Sequence, residues 1–209
     1  MLMYVLLSTI VNEIAFSETM SEITYEVHHG TIGMRLMKPI NYRAQLGFSQ
    51  FGIFVARALI VGLPMTVISS LILVFGFGLG GIYWYNILLF IPAVFFSMLL
   101  EDAIAFLFGQ LAFRTQAMFG VHSMSNVVIG FLSGAFVPLA LFPTWAQTVL
   151  SYTPFPSIMS FPVRLFLGQL GWADVAIGFG IAAAWIVLLN VIGLLLYKTS
   201  VRKVVVFGG

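Results

Sequence analysis

The chain has 209 residues, of which 61% are hydrophobic and 8% charged, and its mean hydropathy is +1.08. A soluble domain carries roughly 25% charged residues to cover its surface. Nine basic and seven acidic side chains therefore exclude a water-soluble globular, disordered or collagen-like protein, and an integral membrane protein remains. The net charge of +2 is too slight to suggest nucleic acid, and the lack of cysteine removes disulfides and thiolate metal sites.

The apolar runs are continuous rather than alternating, so the spans are helices and the fold class is all-α. A helix needs about 20 apolar residues to cross a bilayer core of roughly 30 Å. The first run covers residues 1–16. No basic residue precedes it, and Asn12 and Glu13 stand where a cleavage site would be, so it reads as a membrane helix rather than a signal peptide.

Residues 17–50 are polar and amphipathic. Ser17 is a helix N-cap and Glu18 complements the dipole. Met20, Ile23 and Val27 form an apolar stripe, and Glu18, Glu22 and Glu26 form an acidic stripe on another face. Gly30 ends this helix, Thr31 caps a second one over residues 32–37, and Pro39 stops it. Two short helices joined at Gly30 are either a plain surface connector or a docking element. The acidic face argues against anionic lipid and for a protein partner.

The second run covers residues 51–77 and contains Arg57. The glycines of Gly76-x-Gly78-x-x-Gly81 then match a dinucleotide-binding pattern formally, but a tight turn after a span explains them without a nucleotide. The third run, residues 87–113, contains Glu101 and Asp102. Carboxylates inside a bilayer usually face a partner or a wet cavity. They either line a transport path or stabilise one state of it, or they form an interfacial pair beside a bent helix end. Arg57 is either their counter-ion or a side chain snorkelling to the interface.

The fourth run, residues 117–141, contains Gly130-x-x-x-Gly134. That spacing permits close helix approach, either between subunits or within one. Residues 142–174 are rich in proline and aromatics. Short helices over residues 144–151 and 157–170, broken by Pro154, Pro156 and Pro162, are expected to lie on or dip into the outer leaflet. The fifth run covers residues 175–197.

If the five spans alternate, Arg35, Lys38, Arg43, Arg114, Lys198, Arg202 and Lys203 share one side and only Arg164 takes the other. Basic residues favour the cytoplasm, so residues 17–50 and the C-terminus are expected there, and residues 76–85 and 142–174 outside. Trp84, Tyr85, Trp145, Tyr152 and Trp172 fall where outer interface anchors belong.

The order Glu26-x-x-x-Gly30-Thr31, Leu36, Pro39 resembles the cytoplasmic coupling element of type-2 ATP-binding-cassette (ABC) exporter permeases. Downstream, Leu111-Ala112-Phe113, then residues 132–139 (LSGAFVPL), Phe142-Pro143-x-Trp145, Thr153-Pro154-Phe155-Pro156, Pro162 and Gly168 follow the same family order. The likeness covers almost the whole chain and treats residues 1–209 as one permease domain. Such permeases have six spans, so the resemblance puts Met1 inside the second and implies that an N-terminal span is lacking.

What the resemblance implies is a transport subunit of a cell membrane (in bacteria, the inner membrane). It forms a pathway with a second permease copy or homologue, and cytoplasmic ATPase subunits carry the ATP and magnesium while this chain binds no cofactor. It assigns ATPase coupling to Glu22, Glu26, Gly30, Thr31, Arg35, Leu36 and Pro39.

No P-loop and no G-x-S-x-G elbow occurs. His28 and His29 are adjacent and cannot converge on one metal from a helix. His122 and Ser133 stand eleven residues apart, about 16 Å along a helix, too far for a catalytic pair. A stand-alone channel or secondary carrier is the alternative. Neither needs a Gly-hinged helix pair, and carriers often show inverted repeats, which are not evident here.

Overall fold

The computed structural model describes residues 2–71, 84–115 and 117–200; the Gly76-x-Gly78-x-x-Gly81 turn, Arg202, Lys203 and the side chain of Trp84 lie outside that description. The described residues are helical and contain no strand, as the continuous apolar runs require. In chain order they form α1 (Leu2–Ala15), α2 (Thr19–His28), α3 (Ile32–Leu36), α4 (Tyr42–Leu71), α5 (Trp84–Gly109, continued as a 3₁₀ turn Gln110–Phe113) and α6 (Met118–Leu132). Then follow α7 (Thr144–Ser151), α8 (Phe155–Ile158), α9 (Ser160–Phe166) and α10 (Trp172–Ser200).

Among the described residues three helices are long and apolar enough to cross a membrane: α4, α5 with its extension, and α10. The sequence suggested five such spans. Helix α1 has 14 residues and α6 has 15, and 15 residues reach only about 22 Å of a roughly 30 Å layer. Helix α6 stops nine residues before the expected end of its apolar run. Gly134 takes a left-handed conformation (φ +86°), and the amides of Gly134 and Ala135 turn back to the carbonyls of Phe131 and Gly130. This closes the helix whatever the hydropathy beyond it.

Helix α4 departs in the other direction. It begins at Tyr42, inside the segment that reads as polar, because Asn41 caps it by accepting a hydrogen bond from the Arg43 amide. Tyr42, Leu46, Gln50 and Phe54 then fall on one buried face at four-residue spacing. A π turn, Ala58–Gly62, interrupts α4 just before Pro64, where the Leu63 amide bonds one residue further back than in an α-helix, to Ala58. Proline cannot supply the regular bond, and the wider turn absorbs the defect.

Two apolar cores result. The larger joins α1, α5, α8, α9 and α10 around Leu7, Met98, Leu100, Ile158, Val163 and Phe166. The smaller belongs to the connection between α1 and α4: Met20, Ile23, Ile32, Tyr42 and Leu46 pack against Phe106, Phe113 and Met118.

Residues 157–170, expected to lie on or dip into the outer leaflet, are packed inward against the bundle. Ile158, Met159, Val163, Leu165 and Phe166 are fully buried against α5. A segment apolar on every side gains most by entering the core. Its proline-broken backbone is satisfied there by Ser97 Oγ to Ser157 O at 3.2 Å and by the Ser160 amide to Ser133 O at 3.2 Å. Only α7 keeps the surface character expected of the segment, with Trp145, Val149 and Tyr152 exposed.

Candidate functional site

Helices α2 and α3 form an elbow. Helix α2 ends at Gly30, whose φ of +69° is open to glycine at little cost and strained for other residues. Helix α3 starts at Thr31, which occupies the cap position without a side-chain bond, and Pro39 lies in the bend before α4. Where α2 crosses α5, a Cβ on Gly109 would stand 2.7 Å from Ile23 Cδ1 and 3.3 Å from Met20 Cα, so this glycine admits the elbow onto the span.

The acidic stripe of α2 is not a solvated face. Glu22 pairs with Arg35 of α3, and Glu26 accepts from Arg35 Nε at 2.6 Å and from the Tyr42 hydroxyl at 2.9 Å. Glu26 is buried. Burial works against the Arg35 charge, but the hydrogen bond to Glu22 and the attraction of Glu22 and Glu26 outweigh it and hold the guanidinium above its usual range. Glu18 pairs with Arg57 of α4, which also donates to Phe16 O at 2.9 Å. Gln50 bridges the same corner, donating to Phe16 O and accepting from the Glu18 amide, each at 3.1 Å.

What the elbow presents outward is apolar. Tyr25, Met34, Leu36, Met37 and Ile40 are exposed, Met37 by 80%. With its carboxylates paired inward and Lys38 exposed beside Met37, the tip is a compact, mainly hydrophobic knob on a packed base, the kind of patch that marks a protein contact.

A second polar cluster ties the base of the elbow to the bundle. Asp102 of α5 is 3% exposed. Its Oδ2 lies 2.6 Å from Arg43 of α4, and its Oδ1 accepts from the Thr19 hydroxyl and, at 3.4 Å, from Ser17 Oγ. Arg43 also donates from Nε and Nη2 to Asn190 Oδ1 of α10 at 3.0 and 2.9 Å, and stacks over the Phe106 ring at 4.7 Å. One arginine thus joins α4, α5 and α10, and one carboxylate joins that knot to α2. Arg57, for which the sequence left open a counter-ion role to these carboxylates or snorkelling to the interface, makes its ion pair with Glu18; Arg43 holds Asp102.

Glu101 has a different setting. It is 7% exposed, and its Oε2 is enclosed without a hydrogen-bond partner among the described residues. It lines a cavity of about 280 Å³ between α1, α5 and α6, together with Ser8, Thr9, Asn12, Asn126 and Ser133. A smaller cavity shares Glu101 and Asn126, is lined by His122, and reaches Ser17 and Met20 at the elbow.

Gly130 and Gly134 make close approaches within the chain, one of the two alternatives their spacing leaves open. Gly134 lies beyond the end of α6 and its carbonyl accepts from the Tyr4 hydroxyl at 3.0 Å. A Cβ on Gly130 would stand 2.7 Å from the ring of Phe136, so the chain itself covers that surface. Sequence reasoning brought Arg43, Tyr42, Thr19, Asn190, Asn12 and Asn126 into no site. The readable signal was the lone Asn190 in the last apolar run and the lone Asn126 in the fourth.

A model of the family described as "ABC-2 family transporter protein" matches residues 1–208. No curated protein matches the chain, and neither does any solved structure. The chain therefore belongs to the ABC-2 transporter family and is a membrane permease component of an ABC transporter. That family implies association with ABC ATPase subunits and a membrane, and its permeases are in general transport parts rather than catalysts.

Proposed function

We propose that this ABC-2 permease component is one half of an exporter's pathway in the cell membrane, and that α2, Gly30 and α3 are the cytoplasmic contact for a separate ATPase chain. A second permease, identical or homologous, supplies the other half. ATP and magnesium stay on the ATPase, and this chain binds neither.

One observation carries the reading: a hydrophobic knob stands on a base whose carboxylates are each ion-paired, Glu22 and Glu26 to Arg35 across the hinge, and Glu18 and Asp102 to Arg57 and Arg43 of α4. A push on the knob reaches α4 through Glu26–Tyr42 and Glu18–Arg57. It reaches α5 and α10 through Thr19, Asp102, Arg43 and Asn190. Packed bodies linked this way move as units rather than dissipate the displacement.

The described basic residues support the sidedness. Tyr42 stacks on Tyr197 at 5.5 Å, so Arg35, Lys38 and Lys198 gather at the elbow's end of the bundle, where the positive-inside tendency favours cytoplasm. Tyr85 and Trp172, 5.2 Å apart, mark the far end as an aromatic belt would.

Gly30→Val puts a β-branched residue into a left-handed turn at a cost of about 1–2 kcal/mol. Glu26→Lys sets a buried cation against the Arg35 guanidinium. In the reconstituted complex both variants should keep ATP hydrolysis and lose transport by about tenfold, the equivalent of about 1.4 kcal/mol of coupling. Normal transport by both would remove the coupling role.

A further inference from the structure

We propose that the cavity between α1, α5 and α6 is a ligand site for an amphipathic amine, an ammonium group on a compact apolar body, with Glu101 as the group that receives the ammonium. The inference rests on the pathway reading and names the class of molecule for it.

Two neighbouring carboxylates set up the contrast. Asp102 is satisfied by Arg43, Thr19 and Ser17. Glu101 is one residue away, equally enclosed, and its Oε2 has no partner among the described residues. Arg57 is committed elsewhere: its bonds go to Glu18 and Phe16 O. An unpartnered carboxylate in a membrane bundle is costly, and such groups are kept where they meet a cation or a wet path.

The walls define the cation. Ser8, Ser133 and Met159 form a buried floor with Glu101, and Asn12 and Asn126 form an exposed rim. Exposed asparagines on apolar helices are poorly suited to lipid, so this face opens to water or to the pathway. Glu101 is the one charged residue in the cavity lining. Phe16, Ile129 and Phe136 supply apolar and aromatic surface beside it. A volume of about 280 Å³ lies near the lower bound of roughly 300 Å³ for small-molecule pockets, room for one ring and a short alkyl arm rather than a peptide or glycan. An ammonium is preferred over a quaternary cation because the enclosed carboxylate oxygen needs an N–H donor.

The test uses the complex of this chain with its ATPase in lipid nanodiscs, without ATP, with protein-free nanodiscs as the partition control. The probes are 4-phenylbutylamine, the neutral 4-phenylbutanol and the anionic 4-phenylbutyrate, read by isothermal titration calorimetry. The amine should bind saturably and about tenfold or more tighter than the alcohol, and the acid should not bind. Glu101→Gln, which preserves shape, should abolish that preference, and Asn126→Asp on the exposed rim should strengthen amine binding. Equal binding of amine and alcohol, or an unchanged amine preference in both variants, overturns the proposal, as does an absence of saturable binding to a complex shown to hydrolyse ATP. No step of this assay depends on elbow coupling, so failure here leaves that reading standing, and failure of coupling leaves this one.

Discussion

Two broken, non-spanning segments interrupt this bundle, the elbow of α2 and α3 and the α8–α9 segment, and they invert each other. The elbow is rich in charge, yet it pairs its carboxylates with Arg35 and shows a mainly apolar tip. The α8–α9 segment is apolar and proline-broken, yet it hides its side chains in the main core. The difference lies in what each can bring inside. Glu22 and Glu26 have Arg35 just across the Gly30 hinge, so each carboxylate keeps a charged partner. Residues 155–166 have hydroxyls from Ser97 and a carbonyl from Ser133 to complete their broken backbone. The first segment leaves its apolar tip open, the surface proposed for the ATPase, and the second packs against the helices that carry it.

The sharpest way to break this contrast is to strip the elbow of its anchor. Asp102→Leu leaves Arg43 buried without its carboxylate, and uncompensated buried charges cost about 3–5 kcal/mol. The detergent-solubilised protein should unfold at clearly lower temperature, and protease should cut first within residues 19–41. An unchanged melting temperature would mean that the knot is ornamental.

A smaller effect probes the braced segment. A Cβ on Gly178 would stand 2.2 Å from the Phe161 ring. Gly178→Ala should therefore cost about 1–3 kcal/mol by overpacking, seen as a lower thermal midpoint. The double variant Gly178→Ala with Phe161→Leu should recover much of it. Failure of the rescue would separate α9 from α10.

Much of the elbow was legible. The Gly30 turn and the Met20, Ile23, Val27 stripe follow from local spacing, which needs only neighbouring residues, whereas α2 starts at Thr19 with Glu18 rather than Ser17 at its cap position. The ion pairs were not legible. The choice of Arg43 over Arg57 for Asp102 depends on how α4 and α10 rotate against α5, and a single sequence carries no such long-range pairing. The burial of α8 and α9 was missed for a related reason. Proline signals a break in a helix but not the depth at which it lies, and hydropathy does not distinguish lipid from protein interior. The fourth run was overread because hydropathy continues to Leu141 while a left-handed Gly134 ends the helix.

The central claim is that the elbow's tip is the surface on which the ATPase pushes. Met37, exposed by 80% at that tip, reports on it directly. Because the chain has no cysteine of its own, Met37→Cys gives a unique handle, and a surface change of this kind should shift stability by less than about 0.5 kcal/mol. A short thiol-specific photocrosslinker at this position in native membranes should capture the ATPase chain, and a membrane-impermeant maleimide added outside intact cells should leave the thiol unlabelled. Rapid labelling from outside, or an assembled complex that yields no crosslink to the ATPase, would contradict the account.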